Sequence, residues 1–108
     1  MEKNETSTAK LIETPTFPMN YYNALGLISK HISKDDIIVN EGANTMDIGR
    51  TVIKNYVPKQ RLDAGSYGTM GIGFPSAIAA KAVNPDKRVV LVIGDSAFGF
   101  SSMELETL

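Results

Sequence analysis

The feature that most constrains the fold is an unbroken apolar run near the end of the sequence, Arg88–Ile93. Consecutive β-branched residues without alternation are typical of strands that are buried on both faces, as in parallel sheets. The run leads directly into Gly94–Ser101, where a glycine and an aspartate follow the last apolar residue. We therefore expect a buried parallel strand that ends at residue 93.

The stretch after this strand predicts a polar junction between a strand and a helix. We expect Ser101 and Ser102 to cap the helix that follows, whose apolar side chains are Met103, Leu105 and Leu108. Asp95 then lies where a strand ends and a helix begins, which is where open α/β sheets bind ligands. A phosphate suits the helix end, and the carboxylate suits a divalent cation that bridges to the phosphate.

Helices and strands alternate through the rest of the chain. Apolar spacing and turn residues predict helices at about 20–32, 45–56 and 71–83, and short strands at 37–39 and 62–64. This alternation implies an α/β fold, a parallel sheet with helices on both faces. Residues 1–18 are polar and contain Pro15 and Pro18, which predicts a linker with some helical character at 9–13.

Composition excludes several classes of protein. The 108 residues are 43% hydrophobic and 21% charged, which suits one small domain with a modest core. Eleven basic and twelve acidic residues nearly cancel, and no basic cluster predicts a nucleic-acid or membrane partner. The absence of cysteine excludes disulfides and thiolate metal sites, and no segment is long and apolar enough to span a bilayer.

Two further turns resemble the junction at Asp95 in composition. Asn40–Asn44 follows the strand at 37–39, and Asn44 is a candidate N-cap, with Asp47 three residues later supporting the helix start. A glycine-rich loop, Gly65–Pro75, precedes the third of the predicted helices.

The glycine loop invites a dinucleotide-binding interpretation, because Gly71 and Gly73 open a G-x-G-x-x-G pattern. The third glycine of that pattern is replaced by Ser76, and no clear strand leads directly into Gly71. No separate acidic residue ends a second strand about twenty positions later, other than Asp95 itself. The pattern therefore disfavours a dinucleotide site.

Three motifs resemble those of thiamine-diphosphate enzymes, in the branch of 2-hydroxyacyl-CoA lyase and oxalyl-CoA decarboxylase. The motifs are Gly94–Ser101 with Met103-Glu104 and Glu106-Thr107 after it, Asn40–Asn44 with Asp47 and Arg50, and Gly68–Gly73. They occur in the same order and spacing as in that family, and the resemblance covers residues 18–108. It implies a truncated thiamine-diphosphate-binding fold, with residues 19–108 as the N-terminal part of the diphosphate-binding domain.

The resemblance also implies a set of cofactor contacts for thiamine diphosphate and Mg²⁺. Asp95 would be the metal ligand, while Ser96 and Ala97 would donate to the diphosphate. The backbone at Gly68 would bond the pyrimidine ring, and Met70 would wedge between the two rings of the cofactor. The full set of implied cofactor-binding residues is Ala43, Asn44, Gly68, Met70, Gly94, Asp95, Ser96 and Ala97.

The implied activity is carbon–carbon cleavage of a 2-hydroxyacyl-CoA or of oxalyl-CoA, which yields formyl-CoA with an aldehyde or carbon dioxide. The partners would be an acyl-CoA substrate and further copies in a homo-oligomer, and Arg50 or Arg61 could contact a CoA phosphate. Family resemblance allows a peroxisomal or a cytoplasmic location. No catalytic side chain is expected here, because the activating glutamate lies in a separate domain and the asparagine pair lies beyond Leu108. We therefore expect the isolated chain to be inactive.

Two other interpretations stay open. The first is an enzyme like acetohydroxyacid synthase, which shares the Gly68–Gly71 string but fits Asn40–Asn44 and Asp95–Ser101 poorly. The second is a truncated, non-catalytic product or gene remnant. The last of the predicted helices reaches only about two turns before Leu108 and has no C-cap glycine, so we expect a part of a longer polypeptide or a truncated product.

Overall fold

A computed structural model describes residues 2–108, with the side chain of Glu2 left aside. The helices are α1 (Glu2–Glu13), α2 (Tyr21–Ser29), α3 (Asn44–Val52), α4 (Gly73–Val83) and α5 (Asp95–Ser101). The strands are β1 (Ile37–Glu41), β2 (Arg61–Asp63) and β3 (Val89–Ile93). Two short 3-10 turns, Gly65–Tyr67 and Ser102–Glu106, follow β2 and α5.

The three strands form one parallel sheet in the order β2-β1-β3. Val39 is paired with Leu62 on one side and with Leu91 on the other, so β1 is the central strand. All five residues of β1 are buried, as expected for a strand with neighbours on both edges. The predicted α/β class and parallel sheet are confirmed.

Helices cover both faces of the sheet. Ile38 belongs to a core cluster with Leu25 of α2 and with Val52 and Ile53 at the end of α3. On the opposite face, Gly73 at the start of α4 packs against Glu41 and Leu91. Successive strand side chains point to opposite faces, which is why neighbouring residues of β1 reach different helices. Among residues 2–108, no helix combines the length and hydropathy that a bilayer crossing requires.

Helix α1 is longer than the sequence predicted, since it extends over Glu2–Glu13 rather than only 9–13. Buried Asn23 of α2 donates to the carbonyl oxygens of Ile12 at 2.9 Å and of Thr14 at 2.8 Å, at the end of α1. This amide satisfies carbonyl groups that have no partner inside α1. The function of residues 1–18 as a linker stays a prediction, and Met1 lies outside the described residues.

Two predicted helix caps are wrong. Ala43, rather than Asn44, occupies the N-cap of α3, and no side chain caps that helix. Ser101 and Ser102 do not cap a helix either: α5 already begins at Asp95, and a 3-10 turn follows it. The helix starts early because Gly94 is still extended, and the helix dipole favours an acidic residue in the first turn.

An ion pair between buried Asp36 and exposed Arg88 holds the amino end of the sheet. The guanidinium of Arg88 donates through Nε at 3.1 Å, and also through Nη2, to Oδ2 of Asp36. The N–H of Ser33 donates to the same oxygen at 2.7 Å. The Arg88 hydrogen bond holds the pKa of the Asp36 carboxyl below its usual value, and the Ser33 bond acts in the same direction, against the effect of burial.

We expect Asp36→Asn to lower the free energy of unfolding at neutral pH but not in acid. The folded-state pKa of Asp36 is depressed, so its stabilisation is fully present above about pH 4 and is lost as the pH falls through the folded-state value. Urea denaturation of both proteins from pH 7 downward measures the difference. A difference that stayed constant through the acid range would contradict the ion-pair assignment.

Candidate functional site

The carboxyl ends of β1 and β3 meet at one edge of the sheet. The N–H of Gly94 donates to the carbonyl oxygen of Glu41 at 3.1 Å. A Cβ atom placed on Gly94 would lie 3.2 Å from Oγ1 of Thr45 and 4.0 Å from Cα of Gly42. The turn that follows β1 and the turn that follows β3 therefore lie side by side.

The turn after β1 depends on a glycine. Gly42 has a φ of +120°, a conformation that side-chain-bearing residues rarely adopt. It directs the chain into α3, at whose start Ala43 and Asn44 are both exposed. The first N–H groups of a helix have no partner within the helix, so this end of α3 offers free donors.

The turn after β3 presents Asp95 to solvent as the first residue of α5. Within residues 2–108, its carboxylate makes no hydrogen bond or ion pair. Ser96 beside it is exposed, whereas Ala97 is buried and anchors the helix. Gly94 already uses its N–H on Glu41, so it is not a free donor.

The glycine loop adopts backbone conformations that require glycine. Gly68 has a φ of +61° and Gly71 a φ of +82°, and Met70 between them is 38% exposed. Strand β2 ends at Asp63 and the 3-10 turn Gly65–Tyr67 opens the loop, so no strand leads directly into Gly71. That arrangement agrees with the rejection of a dinucleotide site.

Glu41 joins the glycine loop to the sheet. Its side chain is fully buried, and its carboxylate accepts the N–H of Gly73 at 2.6 Å and the N–H of Gly71. Since its carbonyl oxygen also accepts from Gly94, this one residue contacts two of the three turns that carry the predicted site residues. Sequence reasoning missed it. The available signal was an acidic residue two positions after a buried apolar run and directly before a glycine.

An aromatic contact connects α4 with α5. The rings of Phe74 and Phe98 meet edge to face, with centroids 5.6 Å apart and an interplanar angle of 66°. A Cβ on Gly71 would lie 3.9 Å from Cβ of Phe100. The turns that hold Asn44, Met70 and Asp95 therefore belong to one connected edge of the molecule.

The described residues offer one isolated carboxylate rather than a preformed metal centre. No group of three or more histidine, cysteine, aspartate or glutamate side chains lies close enough to hold a metal ion between residues 2 and 108. Asp95, exposed and unpaired, is suited to supply a single ligand to a hard cation whose other ligands come from bound phosphate and water.

The two arginines considered for a CoA phosphate are engaged within the chain. Arg50 forms a bidentate pair with Asp63, at 2.9 and 2.8 Å, and this hydrogen bonding holds the pKa of Asp63 below its usual value. Arg61 is partly buried and donates to the carbonyl oxygen of Ile53, and burial lowers the pKa of its guanidinium. Either arginine would have to exchange these bonds for a phosphate.

Comparison with known proteins identifies the domain. The family described as thiamine pyrophosphate enzyme, C-terminal TPP binding domain, matches residues 41–108. The chain belongs to this family. Thiamine pyrophosphate is another name for thiamine diphosphate, so the cofactor class and the fold implied by the three motifs are confirmed.

The curated relatives of this thiamine pyrophosphate enzyme domain include a 2-hydroxyacyl-CoA lyase and an oxalyl-CoA decarboxylase. The chain is 49% identical over 112 residues to 2-hydroxyacyl-CoA lyase 1 from Homo sapiens, with all of this chain covered. It is 45% identical over 109 residues to oxalyl-CoA decarboxylase from Escherichia coli (strain K12), with 99% of this chain covered. The chain spans 19% of the length of each of these two relatives.

We expect Gly73→Ala to destabilise the domain by about 1–3 kcal/mol through overpacking. The new Cβ would lie 2.5 Å from Oε2 and 3.1 Å from Cβ of Glu41, so this fully buried side chain would have to shift and give up its bonds to the glycine loop. Gly99→Ala is the matched control, because its Cβ would meet nothing within 4 Å. That change should be neutral or stabilising by up to about 1 kcal/mol. Urea denaturation measures both, and equal effects would contradict the packing.

Proposed function

We propose that the chain forms the cofactor-holding part of a carbon–carbon lyase that cleaves 2-hydroxyacyl-CoA, or oxalyl-CoA, to formyl-CoA. The observation that carries this proposal is the meeting of three turns at one sheet edge, around an unpaired, exposed Asp95. The names of the relatives supply the substrate class. When bound, thiamine diphosphate supplies a carbanion that attacks a carbonyl group and then accepts electrons.

The residues at this edge fit a magnesium diphosphate group. Gly42 and Gly94 carry no side chains where the two turns adjoin, so a ligand can approach the backbone there closely. The free N–H groups at Asn44 and Ser96, each at the start of a helix, would bind diphosphate oxygens from two sides. Asp95 would hold Mg²⁺ against that group.

The glycine loop would hold the other end of the cofactor. The left-handed backbone at Gly68 and Gly71 exposes N–H and carbonyl groups that side chains would otherwise cover. Met70 is flexible and partly exposed, which suits a side chain that fills the angle between two rings. In this proposal Met70 sets the conformation of the cofactor, and the backbone at Gly68 orients the pyrimidine.

A chimera tests the function of this chain in a complete enzyme. The chain would replace the matching 19% of human 2-hydroxyacyl-CoA lyase 1. We expect the chimera to cleave a 2-hydroxyacyl-CoA in the presence of thiamine diphosphate and Mg²⁺, and the 108-residue chain alone to show no turnover. A folded chimera that does not bind the cofactor would overturn the proposal and favour the non-catalytic alternative.

We expect Asp95→Asn in the chimera to weaken Mg²⁺-dependent binding of thiamine diphosphate by at least about tenfold, because a neutral amide is a poorer ligand for a hard cation. Asp86→Asn is the matched control, since Asp86 is exposed in the turn before β3, at the opposite edge. Isothermal titration calorimetry at fixed Mg²⁺ measures both affinities. Unchanged affinity in Asp95→Asn would refute the metal assignment.

We expect Met70→Ala in the chimera to lower kcat more than it lowers stability, because Met70 is 38% exposed and its side chain is less completely packed than that of a core methionine. Met46→Ala is the comparison, since Met46 is 7% exposed and its truncation should cost about 2–5 kcal/mol of stability. Steady-state kinetics and thermal melting separate the two effects. A Met70→Ala protein with normal kcat and a much lower Tm would identify Met70 as core filler.

A further inference from the structure

We propose that Glu41 is a positioning residue, whose buried carboxylate sets the conformation of the glycine loop and thereby the place of Met70. This inference rests on the proposed function of Met70 in cofactor binding. Its structural part, the control of the loop by Glu41, stands on contacts within the chain and can be tested without any cofactor.

Each oxygen of the Glu41 carboxylate binds a different backbone N–H group of the glycine loop. Oε1 accepts the N–H of Gly71, and Oε2 accepts the N–H of Gly73 at 2.6 Å. These two donors lie on either side of Ile72, so the loop is held at two points rather than one. Met70 directly precedes the first of them. Any rotation of the Gly71 peptide would therefore move Met70.

Packing alone does not explain why a carboxylate occupies residue 41. Glu41 is fully buried on the face of the central strand that packs on α4, where an apolar side chain would avoid the cost of desolvation. In residues 2–108 the bonded partners of its carboxylate are backbone N–H groups, not a lysine or arginine. The N-terminus of α4 begins at Gly73, and its dipole favours a negative charge there.

The carboxylate also accounts for the spacing of the two glycines. Gly71 has a φ of +82°, and a Cβ on Gly73 would lie 2.5 Å from Oε2 of Glu41. A side chain at either position would strain the backbone or displace the carboxylate. The Gly71-Ile72-Gly73 string, which first invited a dinucleotide interpretation, is therefore explained by an internal carboxylate.

The experiment compares Glu41→Gln with Asp36→Asn, which neutralises the buried carboxylate that directly precedes β1, at the other end of that strand from Glu41. Amide hydrogen exchange by NMR in the 108-residue chain measures protection at Gly71 and Gly73. We expect Glu41→Gln to reduce that protection by about tenfold or more beyond the effect of global stability, because one amide oxygen replaces two charged acceptors. We expect Asp36→Asn to change it only through global stability.

The functional arm uses the chimera. Glu41→Gln should weaken thiamine diphosphate binding and lower kcat, Asp36→Asn should change neither, and Glu41→Asp should recover part of the loss because it keeps the charge. Equal effects of Glu41→Gln and Asp36→Asn on loop protection and on kcat would overturn the proposal. If Glu41→Gln does not fold, Glu41→Asp is measured in the same way. Its side chain is one methylene shorter and should not reach both N–H groups, so protection at Gly71 and Gly73 equal to that of the original chain would overturn the proposal.

The two proposals fail in different ways. If the unmodified chimera does not bind thiamine diphosphate, the proposed function fails, and the exchange measurement still decides whether Glu41 holds the loop. If the chimera binds and turns over normally while Glu41→Gln leaves Gly71 and Gly73 fully protected, the function stands and the positioning role of Glu41 is wrong.

Discussion

The pairing of β1 with two parallel neighbours is the constraint on which the rest of the structure depends. Parallel strands end at the same edge, so the turn after β1 must lie beside the turn after β3, as the bond from Gly94 to the Glu41 carbonyl shows. Fifty-two residues separate these two positions in the chain, yet the register leaves them in contact. Helices pack on both faces of the sheet, and the start of α4 brings the glycine loop against the end of β1.

The end of β1 carries two consecutive polar residues that are both fully buried, Asn40 and Glu41. Their side chains point to opposite faces. Glu41 meets α4 and is fully hydrogen-bonded, whereas both amide atoms of Asn40 lack a partner among the described residues. Asn40 lies against Gly49 of α3, where a Cβ would be 2.5 Å from its Nδ2. Burial of unpaired polar groups costs stability, so this end of the strand is not optimised for packing.

Features set by local sequence were predictable. Strand β3, its end at Ile93 and the exposure of Asp95 follow from an apolar run that meets Gly-Asp. The grouping of the three turns was implied by the family resemblance rather than by local sequence.

Features that depend on distant contacts could not be predicted from the sequence. Asn44 is a good capping residue by type, but the backbone at Gly42 and Ala43 places it inside the helix. The bonds of Glu41 join residues thirty and thirty-two positions apart, which no local pattern encodes.

The anchorage of the glycine loop has a consequence for binding thermodynamics. Because an internal carboxylate already holds the Gly71 and Gly73 peptides, the conformational entropy of that segment is lost when the chain folds. A ligand that arrives later meets a preorganised surface and does not bear that entropic penalty, which leaves more of its interaction energy available for affinity. The carboxylate would then contribute to affinity without contacting the ligand.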